Sequence, residues 1–309
     1  MDGLLLVNKP KGMTSFAAVK RIKKLAGIKK VGHTGTLDPS ARGLLLVCMG
    51  RATKLTPFLQ ELDKTYQGRM VFGVATSSFD EEGELVEEKD ASSLDKEKVK
   101  AIFHQFEGKI LQTPPVYSAV HWQGERLYNL ARKGARVEIS ARQVHIYELK
   151  LVSYLPGVHP VAEFEVRCSK GTYIRSLCHD IGEASGYGAY QASLCRVRIG
   201  PFSLEDATDL KEIEDMAQKG RLNEIILPPA EALPHFPKIL VKKGVEKLVK
   251  WGRPIYLSHL SEISSNLEKG DRVRICSENG DLLAVGVSLQ SGSYFVKDKV
   301  GFKYLRVLV

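Results

Sequence analysis

The chain has 309 residues, a formal net charge of +9 and 43% hydrophobic residues. This length suggests one large domain plus a smaller one, and the composition is that of a soluble globular protein without membrane-spanning segments or a signal peptide, so a cytoplasmic location is expected. The excess of Lys and Arg is compatible with a polyanionic partner such as nucleic acid, and equally with an ordinary basic surface.

The first part of the chain predicts a strand, a helix, a glycine-rich loop and a second strand. The apolar run Leu4–Val7 predicts the first strand. Thr14 or Ser15 then caps a helix that ends at Gly27. After the loop, the apolar run Gly43–Met49 predicts a buried strand.

The middle of the chain alternates between helical and extended patterns. The predicted elements are a helix Ala52–Leu62, a strand Thr65–Val74 broken by Gly68, an acidic turn region Asp80–Asp90, an amphipathic helix Leu94–Phe106, strands His145–Tyr154 and Val161–Cys168, a helix Tyr173–Ala184 and a short strand Leu194–Ile199. Strands and helices are therefore interleaved in the first domain.

A change in composition near the Pro-containing segment Leu227–Pro237 predicts a linker. Beyond it we predict a helix Val241–Trp251 and a hairpin turning at Asn279-Gly280 between strands Val273–Ile275 and Leu282–Val285. The expected division is a first domain at 1–233 and a small, mostly β second domain at 234–309.

The loop around Asp38 is the first candidate for a functional site. Glycines give its backbone unusual freedom, and Pro39 pushes Asp38 toward an extended conformation beside a core strand. An Asp held there can face a cleft, although on local pattern alone an Asp-Pro turn is the simpler interpretation. The loop lacks the P-loop pattern, which argues against nucleotide hydrolysis.

Two other segments combine charge with aromatic side chains. The segment Ser169–Leu177 carries Tyr173 and Arg175 at the entry of a helix. The stretch Tyr117–Arg136 interleaves aromatic residues with Arg and Lys, which is typical of loops that stack on bases and hold phosphates. A capped helix and an amphipathic hairpin with solvated charges explain the same patterns without a function.

The chain has five Cys residues without a C-x-x-C pair, and its eight His residues lack ligand-like spacing. These patterns predict neither a disulfide framework nor a metal site. The segment Gly186–Gln191 resembles a dinucleotide fingerprint but lacks its third glycine, so we expect no bound nucleotide cofactor.

Taken in order, the motifs resemble those of the TruB family of tRNA pseudouridine synthases. The matching segments are Asn8-Lys9-Pro10 with Gly12 and Thr14-Ser15, Gly32–Pro39 with Gly43, Lys64-Thr65-Tyr66, Gln112 with Pro114-Pro115 and Tyr117-Ser118-Ala119, Ser169–Arg175, and Leu194-Cys195-Arg196 with Gly200 and Phe202. A weaker match of the C-terminal part to a PUA RNA-binding domain rests on Gly270-Asp271 and Ala284–Gly286.

The resemblance implies an α+β fold: a pseudouridine synthase catalytic domain with a mixed, largely antiparallel sheet flanked by helices, plus a small barrel-like PUA domain. It implies a monomer that isomerises uridine-55 in the T-loop of tRNA by base flipping, possessing no cofactor and needing no protein or membrane partner. The C-terminal domain would reach toward the acceptor end of the tRNA.

The resemblance also implies roles for individual residues. Asp38 would be the catalytic carboxylate, with Arg175 as its partner and Tyr173 as the base that removes the ring proton. Tyr66 would stack on the target base and Leu194 would line its pocket. The remaining substrate-binding candidates are Lys9, which would support the catalytic loop, His33, which would replace the flipped nucleotide, Lys64 and Arg196. The segment Gly124–Glu138 would close over the RNA.

Three alternatives remain at this point. A guide-RNA-dependent synthase of the dyskerin type shares the catalytic motifs, although this chain has no long Lys-rich tail. A non-catalytic protein that binds or folds tRNA would use the same basic and aromatic residues. A uracil methyltransferase with a Cys nucleophile would need a cofactor site that the sequence does not show.

Overall fold

The computed structural model describes residues 1–115, 121–122, 125–126, 140–263, 266–291, 296 and 299–309. The predicted RNA-contact stretch Tyr117–Arg136 and the predicted closing segment Gly124–Glu138 lie outside the described residues, apart from the backbone of 121–122 and 125–126. None of the helices in these ranges is long and apolar enough to span a membrane.

Twenty strands are formed by the described residues. They are β1 Gly3–Lys9, β2 Val31–His33, β3 Arg42–Met49, β4 Lys64–Phe72, β5 Val74–Thr76, β6 Leu85–Glu88, β7 Gly108–Gln112, β8 His121–Trp122, β9 Glu125–Arg126, β10 Arg142–Leu155, β11 Val161–Cys168, β12 Ala189–Ile199, β13 Phe202–Ser203, β14 Thr208–Asp209, β15 Ile226–Leu227, β16 Lys238–Val241, β17 Leu260–Glu262, β18 Arg272–Ser277, β19 Leu282–Ser288 and β20 Phe302–Val307.

Six α-helices and five short 3-10 helices accompany these strands in the described part of the chain. The α-helices are α1 Ser15–Ala26, α2 Thr56–Gln60, α3 Lys96–Gln105, α4 Ile174–Ser185, α5 Leu210–Gln218 and α6 Glu246–Lys250. The 3-10 helices are Gly50–Leu55, Leu204–Asp206, Leu222–Ile225, Pro229–Glu231 and Leu257–His259.

An 11-stranded sheet forms the frame of the N-terminal part, with the main order β14-β1-β3-β12-β4-β11-β10-β7. Its pairs are largely antiparallel, while β1 with β14 and β12 with β3 run parallel. The predicted α+β class with a mixed, largely antiparallel sheet is therefore confirmed.

Helices cover one face of this sheet in two groups. Helices α1 and α5 pack on β1 and β3 through an apolar cluster that includes Val7, Ile22 and Ile213. Helices α3 and α4 pack on β4, β10 and β11 through a second cluster that includes Phe103 and Leu177. The opposite face of β1 and β3 packs against α2 and the segment that leads into the C-terminal part. The loop that carries Asp38 contacts both groups, through Ser15 of α1 and Arg175 of α4.

The C-terminal part is built on a 5-stranded sheet in the order β17-β16-β18-β19-β20, with its own buried apolar cluster. It also packs against the first domain. The rings of Phe58 and Phe236 meet edge to face at 6.0 Å, and buried Cys276 and Leu282 belong to the same apolar cluster as Phe58. Burial of these side chains fixes the two parts against each other.

The strongest local signals of the sequence are confirmed. Thr14 caps α1 by accepting a hydrogen bond from the Ala17 amide at 3.0 Å, and Gly27 ends the helix in the left-handed region with φ 64°. The predicted strand Val161–Cys168 is β11, and the predicted hairpin is formed by β18 and β19.

The predicted helix Ala52–Leu62 is wrong as one element. A 3-10 helix, Gly50–Leu55, is followed by the five-residue α2, in whose first turn Pro57 lies. Proline has no amide hydrogen and cannot continue an α-helix from the preceding turn, whereas it fits the first turn of a new one. The predicted helix Val241–Trp251 is also wrong at its start. Val241 ends β16, and Gly244 at φ 90° comes before α6.

Three further predictions are corrected by long-range packing. Gly68 does not break its strand, because β4 runs through it, and a Cβ there would meet the Phe164 ring at 2.6 Å and the Ser193 carbonyl oxygen at 2.8 Å. The acidic turn region contains strand β6. The short strand Leu194–Ile199 is the second half of the longer β12.

Candidate active site

The loop that carries Asp38 is fastened on both sides to the first strand and first helix. The Ser15 hydroxyl accepts a hydrogen bond from the Leu37 amide at 2.8 Å and donates one to the Leu37 carbonyl at 2.9 Å. The buried ammonium of Lys9 donates to the Ala41 carbonyl at 2.6 Å, and also to the Met13 carbonyl. Asp38 therefore lies between two anchored positions.

The buried guanidinium of Arg196 holds the same loop from the side of the sheet. Arg196 of β12 is 1% exposed. It donates to the carbonyls of Leu44 at 2.8 Å, Thr36 at 3.3 Å and Gly35 at 3.2 Å. β12 and β3 approach so closely here that a Cβ on Gly43 would meet the Arg196 carbonyl oxygen at 2.4 Å. Glycine at this position brings the guanidinium within reach of the loop.

Arg175 joins two carboxylates at the first turn of α4. Its Nε lies 3.0 Å from Asp38 Oδ2, and its Nη1 lies 3.5 Å from Asp80 Oδ2. Nη1 also donates to the Ser78 carbonyl at 3.3 Å. The Arg175 and Asp80 side chains are 7% and 5% exposed, whereas that of Asp38 is 36% exposed. Asp38 thus has a fixed cationic partner on one side and an open approach on the other.

Asp80 is a member of the site that sequence reasoning missed. Its acidic neighbourhood predicts only a solvated turn, because a local pattern does not reveal which of several adjacent carboxylates is buried. The turn is closed by its own polar groups. The Thr76 hydroxyl donates to the Asp80 carbonyl at 2.7 Å, and the Glu82 amide and Ser78 hydroxyl donate to Asp80 Oδ1.

An aromatic pair holds this turn against the helix that carries Arg175. Phe79 adopts φ 64°, a conformation that costs free energy in a non-glycine residue. Its ring stacks on the His179 ring with centroids 3.9 Å apart and an interplanar angle of 11°. The Phe79 carbonyl accepts from the Gln191 amide at 2.9 Å. His179 lies one helical turn after Arg175, so both side chains point toward the turn.

Tyr173 precedes the same helix and is fixed through its backbone. The Tyr173 amide donates to Gln112 Oε1 at 2.7 Å, and Gln112 Nε2 donates to the Tyr173 carbonyl at 3.0 Å. Gln112 is buried, so both hydrogen bonds are shielded from water. The Tyr173 side chain is partly exposed.

The floor beside Asp38 is apolar. Tyr66 of β4 and Leu194 of β12 are 8% and 7% exposed and belong to the same cluster as Leu37 and Ile174. Burial raises the pKa of the Tyr66 hydroxyl, which keeps it protonated.

Two predicted site residues remain, Lys64 and His33. The Lys64 ammonium donates to the Gln60 carbonyl at 2.8 Å, and burial lowers the pKa of Lys64, like that of Lys9, to about 8. The half-buried His33 ring accepts the Gly35 amide on Nδ1 at 3.3 Å, and burial lowers its pKa. The charged groups of Lys9, Lys64 and Arg196 therefore point at backbone carbonyls inside the protein.

A cavity of about 440 Å³ opens beside the loop of Asp38, a size common for ligand pockets. Leu194 lines it, together with Ser40 from the loop and the cationic side chains of Lys11, Arg42 and Arg69. Glu163 also lines it and pairs with Arg69, and Lys11 pairs with Glu81, so two of these three cations already have an acidic partner.

Three family models match the chain in succession. The N-terminal domain of the TruB family of pseudouridylate synthases matches residues 23–174, the tRNA pseudouridylate synthase B C-terminal domain matches residues 175–234, and the PUA domain matches residues 237–297. The predicted PUA resemblance is thereby confirmed.

Full-length relatives and solved structures agree with these matches. A tRNA pseudouridine synthase B of Pelotomaculum thermopropionicum is 40% identical over 100% of this chain and 97% of its own length. That of Bacillus subtilis is 40% identical over 92% of each chain. A structure described as an H/ACA RNP bound to a substrate RNA containing 2′-deoxyuridine matches with a TM-score of 0.76 at 25% identity, covering 99% of this chain and 85% of that one. The chain belongs to the TruB family of pseudouridylate synthases.

Proposed function

We propose that this protein isomerises uridine to pseudouridine in tRNA, that its target is position 55 of the T-loop, and that Asp38 is the catalytic carboxylate. The observation that carries the proposal is the Asp38–Arg175–Asp80 cluster. In it the buried Arg175, itself paired with the buried Asp80, holds the partly exposed carboxylate of Asp38 beside an apolar floor. The names of the full-length relatives support the tRNA substrate.

The target base has to leave the stacked loop before its glycosidic bond is accessible. Extrusion of a base costs a few kcal/mol. The Tyr66 ring offers a surface on which the flipped uracil can stack, and Leu194 closes the apolar side of its pocket. His33, at the end of β2, is the residue proposed to fill the space that the base leaves in the RNA.

The reaction breaks the bond from C1′ to N1, turns the uracil and forms a bond from C1′ to C5. Asp38 assists either as a nucleophile at C1′ or by removing a sugar proton, and both routes need an ionised carboxylate. The Arg175 guanidinium provides a charge-assisted hydrogen bond to that carboxylate. A proton must then leave C5 and N1 must gain one, and Tyr173 is the proposed base at C5.

The three buried cations around the loop have a positioning role in this proposal. Lys9, Lys64 and Arg196 all donate to backbone carbonyls, and these contacts fix the path of the loop or of the strand before Tyr66. All three side chains are buried. This assigns them to the support of Asp38 and Tyr66 instead of direct substrate contact.

A guide-RNA-dependent synthase is the second candidate, because the matched structures include a Cbf5-Nop10-Gar1 complex with a TM-score of 0.75 at 27% identity. The two candidates differ in what the purified protein needs. A stand-alone enzyme acts on a bare tRNA transcript, whereas a guide-dependent enzyme requires added guide RNA and protein partners.

A Cys-nucleophile mechanism receives no support from the structure. All five thiols are buried, and burial raises their pKa, which disfavours the reactive thiolate. The residues are Cys48, Cys168, Cys178, Cys195 and Cys276.

The division of labour between domains is part of the same proposal. Residues 1–233 would perform the chemistry, and residues 234–309 would contact the acceptor end of the tRNA. The separate apolar cluster of the C-terminal part and the start of the PUA match at residue 237 support this division. We propose further that the enzyme is a monomer in the cytoplasm and acts without a protein partner or cofactor.

The deciding experiment treats an unmodified tRNA transcript with the purified protein and maps pseudouridine along the RNA. Conversion of uridine-55 alone, without guide RNA, is the expected result. Conversion that appears only after guide RNA and partner proteins are added favours the second candidate. Tight tRNA binding without any conversion identifies a binding protein and contradicts the proposal.

A further inference from the structure

Positive charge is concentrated in one segment of the sequence. Between Asp2 and Asp38 there is no acidic residue, and eight basic residues occur. They are Lys9, Lys11, Lys20, Arg21, Lys23, Lys24, Lys29 and Lys30. The whole chain has a net charge of +9, so this segment accounts for most of the imbalance.

The structure arranges much of this charge along one side of α1. The helix buries Ser15, Ala18, Val19 and Ile22, and its opposite side is exposed. Phe16 begins that exposed side with 73% of its surface open to solvent. Lys20 lies one turn after Phe16, and Lys23 and Lys24 lie one turn after Lys20, so the four side chains form a stripe. Exposed Lys29 and Lys30 follow in the turn beyond the helix.

This stripe begins at the active site and leads away from it. Ser15, the residue before Phe16, holds Leu37 of the catalytic loop through two hydrogen bonds. From there the 12 residues of α1 extend by roughly 18 Å. Strand β2 then returns from Lys30 to His33 beside the loop. The helix that carries the charges is therefore joined at its first residue to the loop of Asp38.

Three of the eight cations are already paired or buried. Lys9 is inside the protein, Lys11 pairs with Glu81, and Arg21 pairs with Glu214 of α5. The other five have no ion pair with any carboxylate in the described part of the chain. Favourable interaction with the helix dipole accounts for Lys23 and Lys24 in the last turn, but not for Lys20, Lys29 or Lys30.

We infer that the exposed stripe of α1 (Phe16, Lys20, Lys23 and Lys24), continued by Lys29 and Lys30, binds the phosphate backbone of the tRNA arm that bears the target uridine. The inference rests on the proposed function, because it requires an RNA whose reacting base lies at Asp38. A polyanion matches a row of unpaired lysines, and an exposed aromatic ring next to the catalytic loop can stack on an unpaired base.

Salt dependence of tRNA binding tests the lysines. In K20Q/K23Q/K24Q, each lost phosphate contact should lower the slope of log affinity against log salt by about one, and affinity at 0.1 M salt should fall roughly tenfold or more. The matched control is K96Q/K98Q/K100Q on α3, which removes the same charge from lysines that include two paired with local acids. Equal slopes and affinities for the two triple variants would overturn the inference.

A second lysine variant keeps the inference testable even if the triple variant unfolds α1. K29Q/K30Q changes only the turn after α1 and should lower the slope by about two. If K20Q/K23Q/K24Q does not fold, an unchanged slope in K29Q/K30Q decides against the inference on its own.

Phe16 is tested by removal and by aromatic replacement. Phe16→Ala should weaken tRNA binding by about tenfold, and Phe16→Trp should restore it, because stacking tolerates any aromatic ring. Weak binding by both variants, or normal binding by both, contradicts a stacking role.

Conversion at saturating tRNA separates this inference from the proposed function. Single-turnover rates of K20Q/K23Q/K24Q should equal those of the unaltered protein once all RNA is bound, because the stripe binds RNA without touching the reacting atoms. A lower rate at saturation would show that the stripe acts in chemistry and overturn the assignment. If the unaltered protein binds tRNA but produces no pseudouridine, the proposed function fails, and the salt slopes still decide whether the stripe binds RNA.

Discussion

The protein carries two kinds of cation around the loop of Asp38. Arg175, Arg196 and Lys9 are buried, and each is held by specific oxygen atoms of the protein. Lys20 and Lys23 of the nearby α1 are exposed. The first kind fixes the geometry of the site, and the second offers its charge to a partner from outside.

The exposed and the buried cations should differ in how strongly dissolved salt weakens their interactions. Exposed charges are screened over about 10 Å at 0.1 M salt, whereas buried pairs are screened much less. Loss of a buried cation also leaves oxygen atoms without a partner in a place that water does not reach. Changes to the buried cations should therefore affect catalysis and stability at any salt concentration, and changes to the exposed lysines should affect binding most at low salt.

The largest expected effect is that of Asp38→Asn. The amide keeps the shape of the side chain but removes the ionised oxygen, so conversion of uridine should fall about a thousandfold or more. Single-turnover assays at saturating tRNA measure this, and the affinity for tRNA should change little. The control is Asp90→Asn, an exposed carboxylate in the same domain. Isomerisation that persists in Asp38→Asn would remove Asp38 from the mechanism.

Arg175→Lys should reduce the conversion rate by about a hundredfold. Lysine keeps the charge but cannot span both carboxylates, because it lacks the planar fork of donors that reaches Asp38 and Asp80 at once. The loss should be the same at low and high salt. Arg167→Lys, which changes an arginine above the exposed ring of Tyr147, is the matched control and should retain activity. A salt-dependent loss in Arg175→Lys would place this residue with the exposed cations.

Arg196→Gln should act mainly on stability. It leaves three backbone carbonyls around the catalytic loop without their guanidinium, so the free energy of unfolding should fall by about 3 kcal/mol. Urea unfolding measures this change. Arg198→Gln, two residues later and exposed, should change it little. If Arg196→Gln folds as stably as the unaltered protein but binds tRNA weakly, direct RNA contact replaces the positioning role.

The sequence alone predicted the site residues that lie in recognisable motifs. The loop of Asp38 and the helix entry with Arg175 were predictable, because they are contiguous segments with distinctive residues. The pairing of Asp38 with Arg175 came from the family resemblance, and the structure shows the two in contact. Thr14, Gly27 and the Asn279-Gly280 hairpin were predictable because caps and turns depend on neighbouring residues alone.

The features that sequence reasoning missed depend on residues distant in the chain. Asp80 is selected among its acidic neighbours by burial against Arg175, 95 residues away. Gly68 resembles a strand breaker until Phe164 and Ser193 fill the space of its absent side chain. Lys64 and Arg196 resemble RNA contacts by charge, and only the folded chain shows that their partners are carbonyls.

Among these variants, one that weakens the Phe79–His179 stack beside Arg175 should have the smallest effect on the conversion rate. The Phe79–His179 stack holds the turn of Asp80, so Phe79→Leu should lower the rate at saturating tRNA by roughly two- to tenfold without weakening tRNA binding. Phe103→Leu, in the apolar cluster between α3, α4 and the sheet, is the control for general loosening of the core. An equal loss of rate in both variants would argue that the stack has no positioning role.

The same stack should be sensitive to pH through His179. Burial lowers the pKa of His179, so the unfolded chain takes up a proton near pH 6.5 while the folded protein still resists it. The unfolded state then binds more protons, and the free energy of unfolding falls as the pH drops below 6.5. His179→Phe keeps a ring against Phe79 but cannot titrate, so its unfolding free energy should fall less between pH 7.5 and 5.5. Other histidines with lowered pKa, His33 and His235, are common to both proteins and cancel in the comparison. Identical pH slopes would mean that His179 is protonated as easily in the folded protein as in the unfolded chain.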